Sequence, residues 1–297
     1  MKVTHHYARV NGVRLHYVEA GTGPLVLLLH GFPETHRSWE LQLPVLANAG
    51  FRVVAPDLRG YGESDKPRSG YDLDTLAADV VELGRALEPG KCRVVGHDWG
   101  GAITWHAAGT RPEAFESAVV IDCAHPFLMQ EALLGDAEQV KRSWYMFFFQ
   151  LPVAPELWLS MNGGRNLARM FRSTPGGERA PESMVRAQRY AVGRVSPLRG
   201  PLAYYRTALR GAARDLITGR RPARPHVALP VTLIWGELDA CFVPRLAEAH
   251  RALAPELSLH VLPGVGHFAH QEVPKLVNPL LLRALGSDAA IASVEAE

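Results

Sequence analysis

Val94-Val95-Gly96-His97-Asp98-Trp99-Gly100-Gly101 is the stretch on which the reading of this chain turns. An apolar, β-branched run ends in Gly-x-Asp-x-Gly-Gly and passes at once into a helix-like segment over 102–108. A strand that turns straight into a helix holds one side chain out at the end of the sheet. The turn is so tight that a Cβ on its flanks would clash, which is why glycines stand there. The pattern is that of a nucleophile elbow with aspartate in place of serine. Beside a helix N-terminus the dipole favours the anionic carboxylate. An aspartate that merely capped the helix would not need glycine on both sides.

Outward from the elbow, short β-rich runs bounded by turn residues recur at 7–10, 13–19, 25–29, 52–55, 92–95 and 118–121. The later ones are nearly continuous apolar runs, as expected where both faces of a sheet are covered, and helix-like segments such as 73–87 lie between them. That alternation predicts an α/β fold with a mostly parallel, doubly wound sheet. Strand patterns resume at 231–235 and 257–262, with a helix-like 244–253 between them. The core domain is therefore expected to be discontinuous, 1–125 and 227–286. The insertion, 126–226, carries Leu, Ala, Arg, Met and Tyr segments broken by Pro and Gly, which predicts several short helices forming a lid. The Ala/Ser/Glu-rich stretch 287–297 has little to bury and is expected to be a flexible tail.

The balance of 47% hydrophobic and 21% charged residues in 297 is that of a compact soluble protein able to bury a sizeable core. A formal charge of +2 conceals a basic middle, because 126–226 holds 16 Lys and Arg against 7 Asp and Glu. Those arginines are scattered among apolar residues without a nucleic-acid motif, so the excess reads as a solvated surface, and no nucleic-acid partner is expected. Three cysteines, Cys92, Cys123 and Cys241, have neither disulfide nor metal spacing, which fits a reducing, cytoplasmic setting. The longest early apolar run, 25–29, is far too short to span a bilayer, and no membrane partner is expected. A monomer or a homodimer is consistent with all of this.

The chain resembles the epoxide hydrolase branch of the α/β-hydrolase superfamily from about residue 10 to 285. The elbow carries that resemblance first. His30-Gly31-Phe32-Pro33 then matches the family's His-Gly-x-Pro turn, and Asp57-Leu58-Arg59-Gly60-Tyr61-Gly62-Glu63-Ser64 matches a further signature, read as structural support around the site. The resemblance implies an α/β-hydrolase fold with Asp98 as nucleophile, and an oxyanion hole formed by the backbone N–H groups of Phe32 and Trp99. It also places the catalytic histidine after the last strand, in the chain order nucleophile, acid, histidine. Gly264-Val265-Gly266-His267-Phe268 occupies that position, which singles out His267 from twelve other histidines. For the acid, Asp239 and Asp122 both stand just past a strand, and the resemblance favours Asp239.

The insertion supplies what the resemblance makes distinctive. Trp144-Tyr145-Met146-Phe147-Phe148-Phe149-Gln150-Leu151-Pro152 is similar to the first lid-tyrosine segment of epoxide hydrolases, and Ala203-Tyr204-Tyr205-Arg206 to the second. This implies Tyr145 and Tyr205 as the functional phenols, with Tyr204 the rival to Tyr205. Opening an epoxide creates an alkoxide in a water-poor site, and a phenol of pKa about 10 can hydrogen-bond that oxygen and yield its proton as charge develops. The implied reaction is hydrolysis of a small hydrophobic epoxide to a vicinal diol through an Asp98 ester, substrate and water meeting Phe32, Trp99, Tyr145 and Tyr205, with no metal or organic cofactor. A haloalkane dehalogenase would use the same elbow and a Trp like Trp99, but relatives of that type place a second halide donor where this chain has Phe32. A ligand receptor on the same fold would have no need of Asp98, Asp239 and His267 together.

Overall fold

In the computed structural model, residues 3–192, 198–220 and 222–287 are described, so the tail expected over 287–297 lies outside the described residues from 288 onward. Among the described residues one eight-stranded sheet is formed by β1 (Thr4–Val10), β2 (Val13–Ala20), β3 (Leu25–Leu29), β4 (Arg52–Pro56), β5 (Cys92–His97), β6 (Phe115–Ile121), β7 (Val231–Gly236) and β8 (Leu257–Leu262). The spatial order is β1-β2-β4-β3-β5-β6-β7-β8; β1, β2 and β4 pair antiparallel, and every pair from β4 to β8 is parallel. All eight expected strands are present, and β5 runs two residues further than expected, up to the elbow itself.

The period-2 geometry of β3 explains why its sequence is an unbroken apolar run. Leu25, Leu27 and Leu29 face one buried cluster, and Val26 and Leu28 face another on the opposite side of the sheet. On the first face lie α2 (Leu73–Leu87) and α3 (Trp99–Thr110), and on the second α1 (Leu43–Asn48) and α12 (Pro274–Ala284). Burying a leucine fully contributes about 1.5–3 kcal/mol relative to exposure, so β3 alone anchors both layers. With helices on both faces the sheet is doubly wound, and its parallel strands aim their C-terminal ends at a common edge, where such sheets carry their sites.

Between β6 and β7 the described residues form only helices: α4 (Pro126–Gly135), α5 (Ala137–Arg142), α6 (Trp144–Phe148), α7 (Ala154–Arg172), α8 (Glu182–Val192) and α9 (Arg199–Thr218), with a short 3₁₀ turn at Gly177–Arg179. Within α7 the backbone leaves helical geometry at Met161 and turns left-handed at Asn162, Gly163 and Gly164, which is where the sequence supplies two glycines. Met146, Phe149, Leu159, Leu167, Leu198, Leu202 and Tyr205 pack together and enclose Phe32 of the core. The inserted helices thus cover the edge of the sheet at which the elbow stands. After β7 come α10 (Arg245–Ala249) and α11 (Ala269–Glu272); the single helix expected over 244–253 is instead α10 followed by a 3₁₀ turn at His250–Ala252.

Candidate active site

Asp98 links β5 to α3 with φ +48 and ψ −119, a conformation that non-glycine residues rarely adopt and that costs on the order of 1–3 kcal/mol. Helix α3 starts immediately after it, at Trp99 rather than at 102, and its first bond runs from Ala102 N–H to the Asp98 carbonyl at 2.9 Å. Two glycines make this possible. A Cβ at Gly96 would run into the Gly100 carbonyl, and one at Gly100 into the Leu29 carbonyl. The side chain so presented does not cap α3. Its Oδ1 accepts a 2.7 Å hydrogen bond from Phe32 N–H, and its Oδ2 lies 3.6 Å from His267 Nε2. Burial alone would raise its pKa, but hydrogen bonding and charge at His267, together with His97 and the Phe32 N–H, hold it below the ordinary carboxylate value.

His267 follows β8 in the loop Gly264–Phe268, and its Nδ1 stands 2.8 Å from Asp239 Oδ2. The other oxygen of Asp239 accepts from the Cys241 and Phe242 N–H groups at 2.6 and 3.1 Å, fixing the carboxylate. Asp122, the other aspartate past a strand, spends both oxygens on backbone: Oδ1 on Gly236 N–H at 2.6 Å and Oδ2 on Ala269 N–H at 3.0 Å. Burial, and then the charge of Asp239, push its pKa up to about 8. The structure therefore brings together Asp98, His267 and Asp239 and leaves Asp122 bracing the loops behind them. His267 is also buried, which disfavours its charge, yet the Asp239 carboxylate, Cys241 and the hydrogen bonds to Asp239 and Asp98 raise its pKa well above that of a free imidazole.

The two expected phenols face this group from the insertion. Tyr205, on α9, packs its ring edge-on against Trp99 and Phe32, with centroids 5.1 and 5.3 Å away, and Tyr145, on α6, meets Tyr205 at 5.8 Å. Burial raises the pKa of both well above the usual phenol value; the charge of Asp98 adds to it at each, and Cys241 beside Tyr145 does so too. Tyr204 is tied elsewhere: its hydroxyl donates to the Arg59 carbonyl at 2.7 Å and joins α9 to the loop after β4. Of the two expected backbone donors, Phe32 N–H reaches Asp98; Trp99 forms the first turn of α3, beside it.

Two acidic residues near this group escaped the sequence reading. Glu34, buried, takes a 3.0 Å hydrogen bond from His97 Nδ1 and a 2.6 Å bond from Gln271, and His97 Nε2 lies 2.9 Å from the His267 carbonyl. Glu272 binds backbone beside His267. Only the position of Glu34 just beyond the His-Gly-x-Pro turn could have signalled it. Within the signature over 57–64, the Asp57 carboxylate is hydrogen-bonded to His16 and His36, each Nδ1 at 2.8 Å, and Ser64 Oγ donates to the Asp57 carbonyl at 2.5 Å. Three groups of described residues bring potential metal ligands within 4.8 Å of one another, namely His16–His36–Asp57, Glu34–His97–His270 and Asp239–Cys241–His267. Each of these groups contains a His–carboxylate hydrogen bond.

Residues 24–274 match the family described as alpha/beta hydrolase fold. The chain is 37% identical to epoxide hydrolase 4 of Mus musculus over 94% of its own length and 78% of that protein. It is 34% identical to an AB hydrolase superfamily protein of Bacillus subtilis, over 94% and 96%. Among solved structures it superposes on a Bacillus megaterium epoxide hydrolase, a variant bound to its diol product, with TM-score 0.84 and 31% identity, covering 95% of this chain and 100% of the other. Against potato epoxide hydrolase I the TM-score is 0.81 at 26% identity, covering 96% and 99%. No described helix is long and apolar enough to cross a membrane.

Proposed function

Because the chain belongs to the epoxide hydrolases of the α/β-hydrolase family, we propose that it converts a small hydrophobic epoxide to a vicinal diol through a covalent ester on Asp98. The observation that carries this reading is the division of labour on one carboxylate: Oδ1 is held by Phe32 N–H, while Oδ2 lies 3.6 Å from His267 Nε2. In the first step Oδ2 attacks an oxirane carbon, the C–O bond of the ring breaks, Tyr145 and Tyr205 hydrogen-bond the departing oxygen, and one of them gives it a proton and is left as a phenolate. The helical insertion, 126–226, acts as the lid that delivers both phenols and excludes water.

In the second step His267 takes a proton from water, whose oxygen attacks Asp98 Cγ. Oδ1, now the ester's carbonyl oxygen, becomes the oxyanion, and the Phe32 N–H is already in place to hold it, with Trp99 N–H as its partner. Asp239 keeps the Nδ1 proton on His267 and stabilises the imidazolium that forms. The ester C–O bond on the Asp98 side then breaks, the departing alkoxide takes the proton from His267, and the proton left on the new Asp98 carboxyl returns to the phenolate, so that the diol leaves with carboxylate, imidazole and phenol all restored. The apolar packing around Phe32, Trp99 and the lid aromatics supports a hydrophobic substrate, and three unpaired cysteines support a cytoplasmic setting. The test is a panel of styrene-type epoxides, aliphatic epoxides and haloalkanes with diol and halide both quantified. Diol from epoxides without halide release supports the reading; halide release would make the protein a dehalogenase, and no turnover of any of them a binding protein.

A further inference from the structure

His267 does not hold its place by its side chain alone. Its loop, 264–268, is gripped from behind by Glu272, a residue to which the mechanism above gives no role. Glu272 is 7% exposed, and its two carboxylate oxygens reach backbone on the two sides of the histidine: Oε2 accepts from Gly266 N–H at 2.9 Å and Oε1 from Phe268 N–H at 3.1 Å. The carbonyl of His267 itself is held by His97 Nε2 at 2.9 Å. The backbone around the imidazole is thereby fixed before, at and after the residue.

The insertion closes over the same carboxylate. Arg179 places Nη1 3.9 Å from Glu272 Oε2 and donates from Nη2 to the Gly264 carbonyl at 2.8 Å. Gly176 lies so close that a Cβ there would run into Glu272 Oε2. A buried carboxylate is costly unless its oxygens are satisfied, and here the donors that satisfy it are the amides on either side of the expected base. An uncharged loop brace could stand anywhere along 264–268; this one is bidentate and centred on His267.

We propose that Glu272 is a positioning residue for His267: by holding the Gly266 and Phe268 N–H groups it sets where the imidazole stands between Asp98 and Asp239. The proposal rests on the assignment of His267 as the base of ester hydrolysis. His267 contacts its partners at 2.8 and 3.6 Å, and a displacement of about 1 Å in such a constellation costs on the order of 10²-fold in rate. Ester formation uses Asp98 and the phenols and does not need the imidazole to be placed so closely.

The test is Glu272→Gln, which keeps the shape but turns one acceptor into an NH₂ facing an N–H. Glu272→Asp, too short to span both amides, serves as a second variant should the first not fold. Rapid-quench mass spectrometry of the Asp98 peptide separates the two steps. Ester formation is expected within about twofold of the parent and ester hydrolysis slower by about 10²-fold. Hydrolysis at the parental rate, or an equal loss in both steps, overturns the proposal. A second readout needs no turnover: the low-field proton resonance of His267 Nδ1–H is expected to shift or broaden away in either variant, and an unchanged resonance contradicts the proposal. If the parent forms no ester with any epoxide, the functional reading has failed, and this resonance alone decides the role of Glu272.

Discussion

Asp239→Asn is the substitution whose effect the geometry defines most closely. Asn keeps the shape, and its Oδ1 still accepts from the Cys241 and Phe242 N–H groups that fix Asp239 at 2.6 and 3.1 Å. What changes is the atom facing His267 Nδ1 across 2.8 Å. An amide NH₂ can only donate, so Nδ1 must offer its lone pair and the imidazole proton moves to Nε2, the nitrogen that should receive a proton from water. The charge is lost as well. Opposite charges about 4 Å apart attract by about 4 kcal/mol at an effective dielectric of about 20, and losing that attraction removes the Asp239 charge that helps to raise the His267 pKa. In a comparable triad the same change lowers turnover by about 10⁴. Single-turnover quench-flow with an aryl epoxide should therefore show ester formation within about tenfold of the parent and ester hydrolysis slower by about 10³–10⁴. Asp122→Asn should leave hydrolysis far less affected, because both its oxygens serve backbone amides. If Asp122→Asn is instead the crippled variant, with both proteins folded, the assignment of the acid is wrong.

Tyr145→Phe and Tyr205→Phe should each slow ester formation by about 10²–10³, and the double variant by more than either, whereas Tyr204→Phe should cost only about 1 kcal/mol of stability through its bond to Arg59; pre-steady-state alkylation and thermal melts separate these outcomes. The pH dependence follows from the raised pKa of His267: a base must be neutral, so ester hydrolysis should rise with pH, and its apparent pKa in the intermediate should lie below that of the free enzyme because esterification removes the Asp98 charge. A profile that falls with rising pH between 6 and 9 would contradict this. For stability the sign is opposite for the two partners. Protonated His267 stabilises the fold below its unfolded value, about 6.5, and this is lost as pH rises through its higher folded pKa; Asp98, depressed in the fold, stabilises above its unfolded value, about 3.9, and this is lost as pH falls through its folded one. Leu27→Ala, at a position with no exposure on the sheet's α2–α3 face, should cost about 2–5 kcal/mol in denaturant unfolding while leaving the site's chemistry intact in the folded fraction.

Most of the architecture was legible because its causes are local. The Gly-x-Asp-x-Gly-Gly turn is demanded by the backbone itself, and the apolar runs of β3, β5 and β7 announce strands covered on both faces. Where the sequence left choices open, the deciding facts are contacts distant in the chain. Asp122 and Asp239 both follow a strand, and only their hydrogen-bond partners tell the loop brace from the histidine's partner. Tyr204 and Tyr205 are neighbours on α9, pointing about 100° apart on a helix, and no local pattern says which one looks at Asp98. Glu34 meets Gln271 across 237 positions. Helix α3 begins at Trp99, ahead of the expected 102, because the glycines beside the nucleophile let the helix start directly after it.

Turnover as proposed passes through a covalent bond to Asp98 that His267 removes. The most direct measurement is intact-protein and peptide mass spectrometry of the His267→Gln variant mixed with a saturating aryl epoxide. A stable mass increase equal to that of the epoxide is expected, confined to the peptide bearing Asp98 and abolished by Asp98→Ala. A folded His267→Gln protein that carries no adduct, or carries it on another residue, contradicts it.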